Sequence, residues 1–146
     1  MTPQQMVQEF HRVFGCSVDD LSEETKKARL TLIEEEYGEM LQELVDYESD
    51  LVGVDKEGFF LYPLRSDVDR EKLAKEMADL VYVIYGSAIA WGIDLDKAVE
   101  LVHESNMSKV WPDGKPRYRP QDGKVMKPPT YIAPIMTSAV KEIKDV

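Results

Sequence analysis

Apolar residues recur at helical spacing in four separate stretches of the chain. Val7, Phe10, Val13 and Phe14 form the first, and Gly15 can end that helix in a left-handed conformation. Asp20 and Ser22, each followed by acids, are start signals for a second helix running to about Tyr47. Its apolar stripe is Leu30, Ile33, Tyr37, Met40, Leu41 and Leu44. A third helix runs from Arg70 to about Trp91 and stops at Gly92, with Leu73, Met77, Leu80, Val81, Ile84, Ala88 and Trp91 on one face. From Leu80 to Ile93 it carries no charge on any side, so it is expected to be buried all round, within a subunit and between subunits. The fourth starts at Asp94 or Asp96, runs to about Val110 and is stopped by Pro112.

Between the second and third helices, Gly53, Gly58 and Pro63 argue against a continuous helix. The apolar patch GFFLYPL in this segment is expected to pack on another surface, such as a second subunit. After the fourth helix the dipeptides Asp113-Gly114 and Asp122-Gly123 mark turns, the second suited to close a small hairpin. IMTSAVKEIKDV suggests a short terminal helix. These elements predict an all-α fold: a helical bundle of four to five helices with a basic, irregular or hairpin arm near the C-terminus, assembled as a homo-oligomer. One domain spans 1–146, with 46–70 as an inserted linker and 109–134 as the arm.

Charge sharpens the picture. The 146 residues carry a formal net charge of -10, which repels nucleic-acid polymers and anionic lipid. The arm is the exception. Lys109, Lys115, Arg117, Arg119, Lys124 and Lys127 face only Asp113 and Asp122, a net of +4 within that segment. Cys16 is the only cysteine, so no intramolecular disulfide forms and nothing calls for an oxidising compartment. MTPQQMVQEF lacks the basic and apolar regions of a secretory signal, and the uncharged run falls short of the roughly 20 residues of a spanning helix. A cytoplasmic location without membrane partners is expected.

The second helix crowds Glu34, Glu35, Glu36, Glu39 and Glu43 into IEEEYGEMLQEL. At about 100° per residue, Glu36, Glu39 and Glu43 border its apolar stripe rather than oppose it. On the third helix, Glu76 and Asp79 stand three apart, flanked by Leu80 and Val83. Each pair taken alone reads more readily as a solvated helix face than as a metal site. Together, at two partly buried borders, they would repel one another strongly, and hard divalent cations relieve that repulsion.

EEEYGEM and EMAD resemble the Glu-Glu-x-x-Glu and Glu-x-x-Asp motifs of the all-α nucleoside triphosphate pyrophosphohydrolases, a superfamily that includes MazG, the dimeric dUTPases and phosphoribosyl-ATP pyrophosphohydrolase. FHRVFG, VHESNMSK and DGKVMKPPTY resemble the small MazG-like members and extend the likeness over most of the chain in order. The linker between Glu39 and Glu76 is longer than in the smaller members. The resemblance implies Mg²⁺ held by Glu36, Glu39, Glu76 and Asp79, with Mn²⁺ expected to substitute. Glu35 would be a further ligand or, with Glu36, part of the machinery that activates water. The implied reaction is hydrolysis of a ribo- or deoxynucleoside triphosphate at the α-phosphorus, giving monophosphate and pyrophosphate for nucleotide-pool sanitation or supply, with dUTP and dGTP among the candidates. Lys109, Lys124 and Lys127 would meet phosphate oxygens and Asn106 the sugar or base. Tyr82 and Tyr85 would flank the nucleotide, with Phe10, His11 and Phe14 as a wall of the base pocket. Self-association as a dimer or tetramer is expected.

Phosphoribosyl-ATP is the alternative substrate. From other classes, a carboxylate-bridged di-iron bundle would use Glu100 and His103, but needs a second Glu-x-x-His that His11 does not supply. A non-catalytic helical interaction protein is the remaining alternative.

Overall fold

The computed structural model describes residues 1–143. Helix α1 (Pro3–Phe14) opens on a reciprocal cap in which Thr2 Oγ1 accepts from the Gln5 N–H and the Gln5 side chain accepts from the Thr2 N–H. This satisfies donors that a helix start otherwise leaves free. Gly15 closes α1 at φ 66°, the expected left-handed stop. Helix α2 (Glu23–Leu44) is capped by the Ser22 hydroxyl, and Asp20 steadies that turn by accepting from the Ser22 N–H and the Thr25 hydroxyl. It ends short of Tyr47 because Val45 turns extended and bridges to Leu64.

Strands β1 (Gly53–Val54) and β2 (Phe60–Leu61) form an antiparallel hairpin, with Gly53 opposite Leu61, inside the segment where a continuous helix was ruled out. Phe59, Leu61 and Leu64 remain exposed, while Tyr62 meets Tyr47 edge-on at 5.0 Å, so those three apolar side chains of GFFLYPL are left uncovered. Asp69 caps α3 (Arg70–Ala90) by accepting from the Glu71 and Lys72 N–H groups. Asp94 does the same for α4 (Leu95–Met107) through the Lys97 N–H.

Helix α2 packs along α3, α1 crosses α3, and α4 touches α3 lightly near their shared turn. The most buried stretch is the C-terminal end of α3, Gly86 to Ala90, joined by Val7 of α1 and Ala139 of the tail. The packing is close at Gly86: a Cβ would stand 2.9 Å from Arg29 Nη1 and 3.1 Å from His11 Nε2, so the guanidinium would have to shift. The Asp19 and Asp20 N–H groups donate to the Ile89 and Ala90 carbonyls, satisfying acceptors that the helix end leaves open. Gln4, buried, bridges the same region. Its amide donates to the Ile93 carbonyl at 3.1 Å and accepts from the Leu95 N–H at 3.2 Å.

Within one chain α3 leaves Met77, Val81, Tyr82 and Ile84 exposed, on the helix for which burial between subunits is expected. Only its second half has α1, the α1–α2 turn and the tail around it. The terminal segment forms a single 3₁₀ turn at Thr137–Ala139 rather than a helix, since Val140 then bridges to Ile93. The last three residues of that segment lie outside the described residues. The arm does contain the expected hairpin: Tyr118 bridges to Val125, and the Arg119 N–H donates to the Lys124 carbonyl at 2.8 Å. Among the described residues, no helix is long and apolar enough to cross a membrane.

Gln4→Ala strands two backbone groups at the turn that joins α3 to α4. It is expected to lower unfolding stability by about 1–3 kcal/mol in urea titrations, whereas an unchanged midpoint would show that water replaces the amide.

Candidate functional site

The packing of α2 on α3 turns two separate acidic motifs into one cluster. Glu36 of α2 and Glu76 and Asp79 of α3 each offer a carboxylate oxygen, and these oxygens lie within 4.8 Å of one another. All three side chains are partly buried at the helix–helix border. Oxygens about 2.1 Å from a shared Mg²⁺ stand roughly 3–4 Å apart, so small side-chain rotations close the set around an ion. An all-oxygen donor set of this kind fits Mg²⁺ or Mn²⁺ rather than a soft metal. Among the described residues this is the one cluster of its kind.

Glu39 stands beside the three rather than among them. Its link is Lys75, whose ammonium lies 2.9 Å from Asp79 Oδ2, 3.1 Å from Glu76 Oε2 and 4.0 Å from Glu39 Oε2. Sequence inspection passed over Lys75, although its spacing to Asp79, four residues on, predicts the contact. Those hydrogen bonds to Asp79 and Glu76 push the Lys75 pKa well above its ordinary value. Glu36 is shifted the other way for a charged group. Burial, then the charges of Glu39, Asp79 and Glu76, push its carboxyl above the ordinary 4.5, with Lys75 opposing. Glu35 is exposed and outside the cluster.

Tyr82 lies one turn beyond Asp79 on the same side of α3 and meets Phe10 edge-on at 5.7 Å. Phe10 stacks on Phe14 at 4.3 Å. These rings form a partly exposed aromatic surface next to the acids. Tyr85 is turned elsewhere: its hydroxyl donates to Asp96 at 3.0 Å, and burial with that bond raises the phenol's pKa. His11 is also committed. It is 3% exposed, with Nδ1 2.9 Å from the Ser17 carbonyl and Nε2 facing Arg29. A carbonyl partner makes Nδ1 the protonated nitrogen, and burial, with Arg29 beside the ring, holds its pKa below the ordinary range. It borders a second cleft, with Gln8, Arg12 and Cys16, two turns beyond Asp79 along α3.

The arm begins at the far end of α4. Lys109 Nζ donates to the Asn106 side-chain oxygen at 2.7 Å. Lys127 lies 4.4 Å from the centre of the Tyr131 ring, and the Ser105 hydroxyl, helped by Lys127 and Lys109, holds that phenol below its ordinary range. Arg117 covers Trp111 and reaches Asp113, while Arg119 is bound to Asp122. Among the described residues, Lys109, Lys115, Lys124 and Lys127 have no carboxylate partner. Among the described residues, neither Asn106 nor these lysines form a hydrogen bond or ion pair with Glu36, Glu39, Glu76 or Asp79. Glu100 and His103 are exposed on α4 and join no metal-binding group.

The raised Glu36 pKa has a definite sign. The folded chain binds this proton more tightly than the unfolded chain, so the favourable contribution present below pH 4.5 is lost as pH rises through the folded pKa. In chelator at neutral pH, Glu36→Gln is therefore expected to melt above the wild type, with the gain fading as pH falls toward 4.5. A lower melting temperature at every pH would contradict this.

No curated protein matches the chain. The family model described as phosphoribosyl-ATP pyrophosphohydrolase matches residues 7–106, which takes in α1 from Val7 onward, both acidic motifs and all but the end of α4. The matched stretch holds every carboxylate of the cluster and stops short of the basic arm. The chain belongs to the phosphoribosyl-ATP pyrophosphohydrolase family, within the MazG-like superfamily, and is a pyrophosphohydrolase of a nucleotide-like substrate.

Proposed function

We propose that the chain hydrolyses the α–β phosphoanhydride of a nucleoside triphosphate, releasing pyrophosphate, with Mg²⁺ held by Glu36, Glu76, Asp79 and Glu39. The observation that carries this reading is the convergence of Glu36, Glu76 and Asp79 from two helices within 4.8 Å. When bound, the ion offsets charge on the triphosphate and on the transition state. The protein's own residues do the rest. Glu36, Glu76 and Asp79 would hold the ion at the helix–helix border, beside which the reacting phosphate would bind. Glu35, exposed and outside the cluster, is the carboxylate available to take a proton from the attacking water. The Phe10–Phe14–Tyr82 surface, one turn from Asp79, is suited to a base.

Family membership supports phosphoribosyl-ATP as the substrate better than a free deoxynucleoside triphosphate. The second reading, a free nucleotide such as dUTP or dGTP, rests on the arm. DGKVMKPPTY lies beyond the matched residues and resembles the MazG-like branch. Both substrates present a triphosphate, and Lys109, Lys124 and Lys127 would neutralise its outer oxygens in either case. Because these lysines form no ion pair with the acids of their own chain, we assign them to the substrate of a neighbouring subunit. The exposed Met77, Val81 and Ile84 on α3 offer an apolar face for a dimer or tetramer.

Product analysis by anion-exchange chromatography, with phosphoribosyl-ATP and a panel of nucleoside triphosphates in Mg²⁺ and Mn²⁺, tests this reading. Pyrophosphate with the matching monophosphate is expected, and Asp79→Asn should lower kcat/KM by about a hundredfold or more. Orthophosphate with a diphosphate would overturn the cleavage position, and full activity in Asp79→Asn would overturn the site.

A further inference from the structure

Lys75 is the cation already seated among the acids. Its ammonium contacts carboxylates of both acidic motifs, Asp79 and Glu76 from its own helix and Glu39 from α2. Two features separate this from an ordinary surface ion pair. First, Glu76 is 14% exposed, so the lysine's charge acts on a partly desolvated oxygen. Second, the lysine side chain itself is 61% exposed, so its long stem approaches from solvent and can swing away without disturbing packing. The same Glu76 and Asp79 are two of the three groups that can hold a divalent ion. An ammonium and a hard cation drawn to the same two carboxylates repel each other, so each weakens the other's hold.

We infer that Lys75 is a resident counter-cation that holds the two acidic motifs together, competes with the divalent ion for Glu76 and Asp79, and is displaced by it toward the phosphates. The inference rests on the metal-site reading given above. The lysine keeps mutually repelling carboxylates close enough to form a ready site, at the cost of weaker affinity for the ion. Once displaced, the ammonium remains one side-chain length from the reacting phosphates and adds positive charge where pyrophosphate leaves.

The consequence is a crossed pattern. Lys75→Gln should bind Mn²⁺ about three- to tenfold more tightly than the wild type, since several exposed-to-half-buried ion pairs no longer compete. It should also melt at a lower temperature than the wild type in chelator, with the deficit removed by saturating Mn²⁺, and should turn over substrate more slowly despite the tighter ion. Lys75→Arg, which keeps the charge, should sit near the wild type in ion affinity.

The experiment is Mn²⁺ titration followed by electron paramagnetic resonance, with thermal unfolding in chelator and in Mn²⁺, on wild type, Lys75→Gln, Lys75→Arg and Asp79→Asn. Tighter Mn²⁺ binding in Lys75→Gln alone supports the inference, as does binding that appears only in that variant. Equal or weaker binding in Lys75→Gln, with the wild type binding normally and Asp79→Asn not, overturns the role of Lys75 and leaves the metal site standing. Absence of Mn²⁺ binding in both wild type and Lys75→Gln overturns the metal site itself, and the inference with it.

Discussion

Carboxylates that face one another across two packed helices repel, and the packing of α2 on α3 sets Glu36 against Glu76 and Asp79 with Glu39 close by. Burial, and after it that repulsion, raises the Glu36 pKa above its ordinary value. A surface that needed only solubility would have spread these acids around the helices. Here they border the apolar stripe, where water is partly excluded and a cation gains most from their company. Lys75 meets part of the demand from within the chain, and a divalent ion fits the remainder.

The two ends of α3 divide the work. Its C-terminal end is wrapped by α1, the α1–α2 turn and the tail, with Gln4, His11 and Gly86 providing close, hydrogen-bonded joints. That end is rigid by construction, since the contacts there involve backbone groups and buried side chains. The N-terminal half carries the acids, and beside them Met77, Val81 and Ile84 lie exposed. A well-anchored helix thus holds Glu76 and Asp79 at a fixed height relative to α2. Its apolar side chains Met77, Val81 and Ile84 are left uncovered by the rest of the chain.

Much of the fold was legible because helix boundaries here are set by local chemistry. Ser22, Asp69 and Asp94 cap, and Gly15 stops, where the apolar spacing begins or ends. The acid cluster was legible too, since residues three apart share a face whatever the tertiary context. The β1–β2 hairpin was not, because strands of two residues leave no alternation to read. Nor was the exposure of Met77, Val81, Tyr82 and Ile84 on α3, which an apolar sequence cannot distinguish from burial against a partner. Tyr85 and His11 illustrate a different limit. Their positions on the helices were readable, but their partners, Asp96 and the Ser17 carbonyl, come from turns whose geometry no periodicity encodes. Lys75 was readable from spacing alone, and was overlooked because attention went to the negative residues around it.

The central claim is that the acids of α2 and α3 form one divalent-cation centre. Anomalous diffraction from crystals grown with Mn²⁺ tests it most directly, because the manganese signal locates the ion without reference to activity. The account predicts a peak bounded by the carboxylate oxygens of Glu36, Glu76 and Asp79, with the Lys75 ammonium moved out of their midst. Manganese bound elsewhere, or an ammonium still in place with no peak beside it, would contradict it.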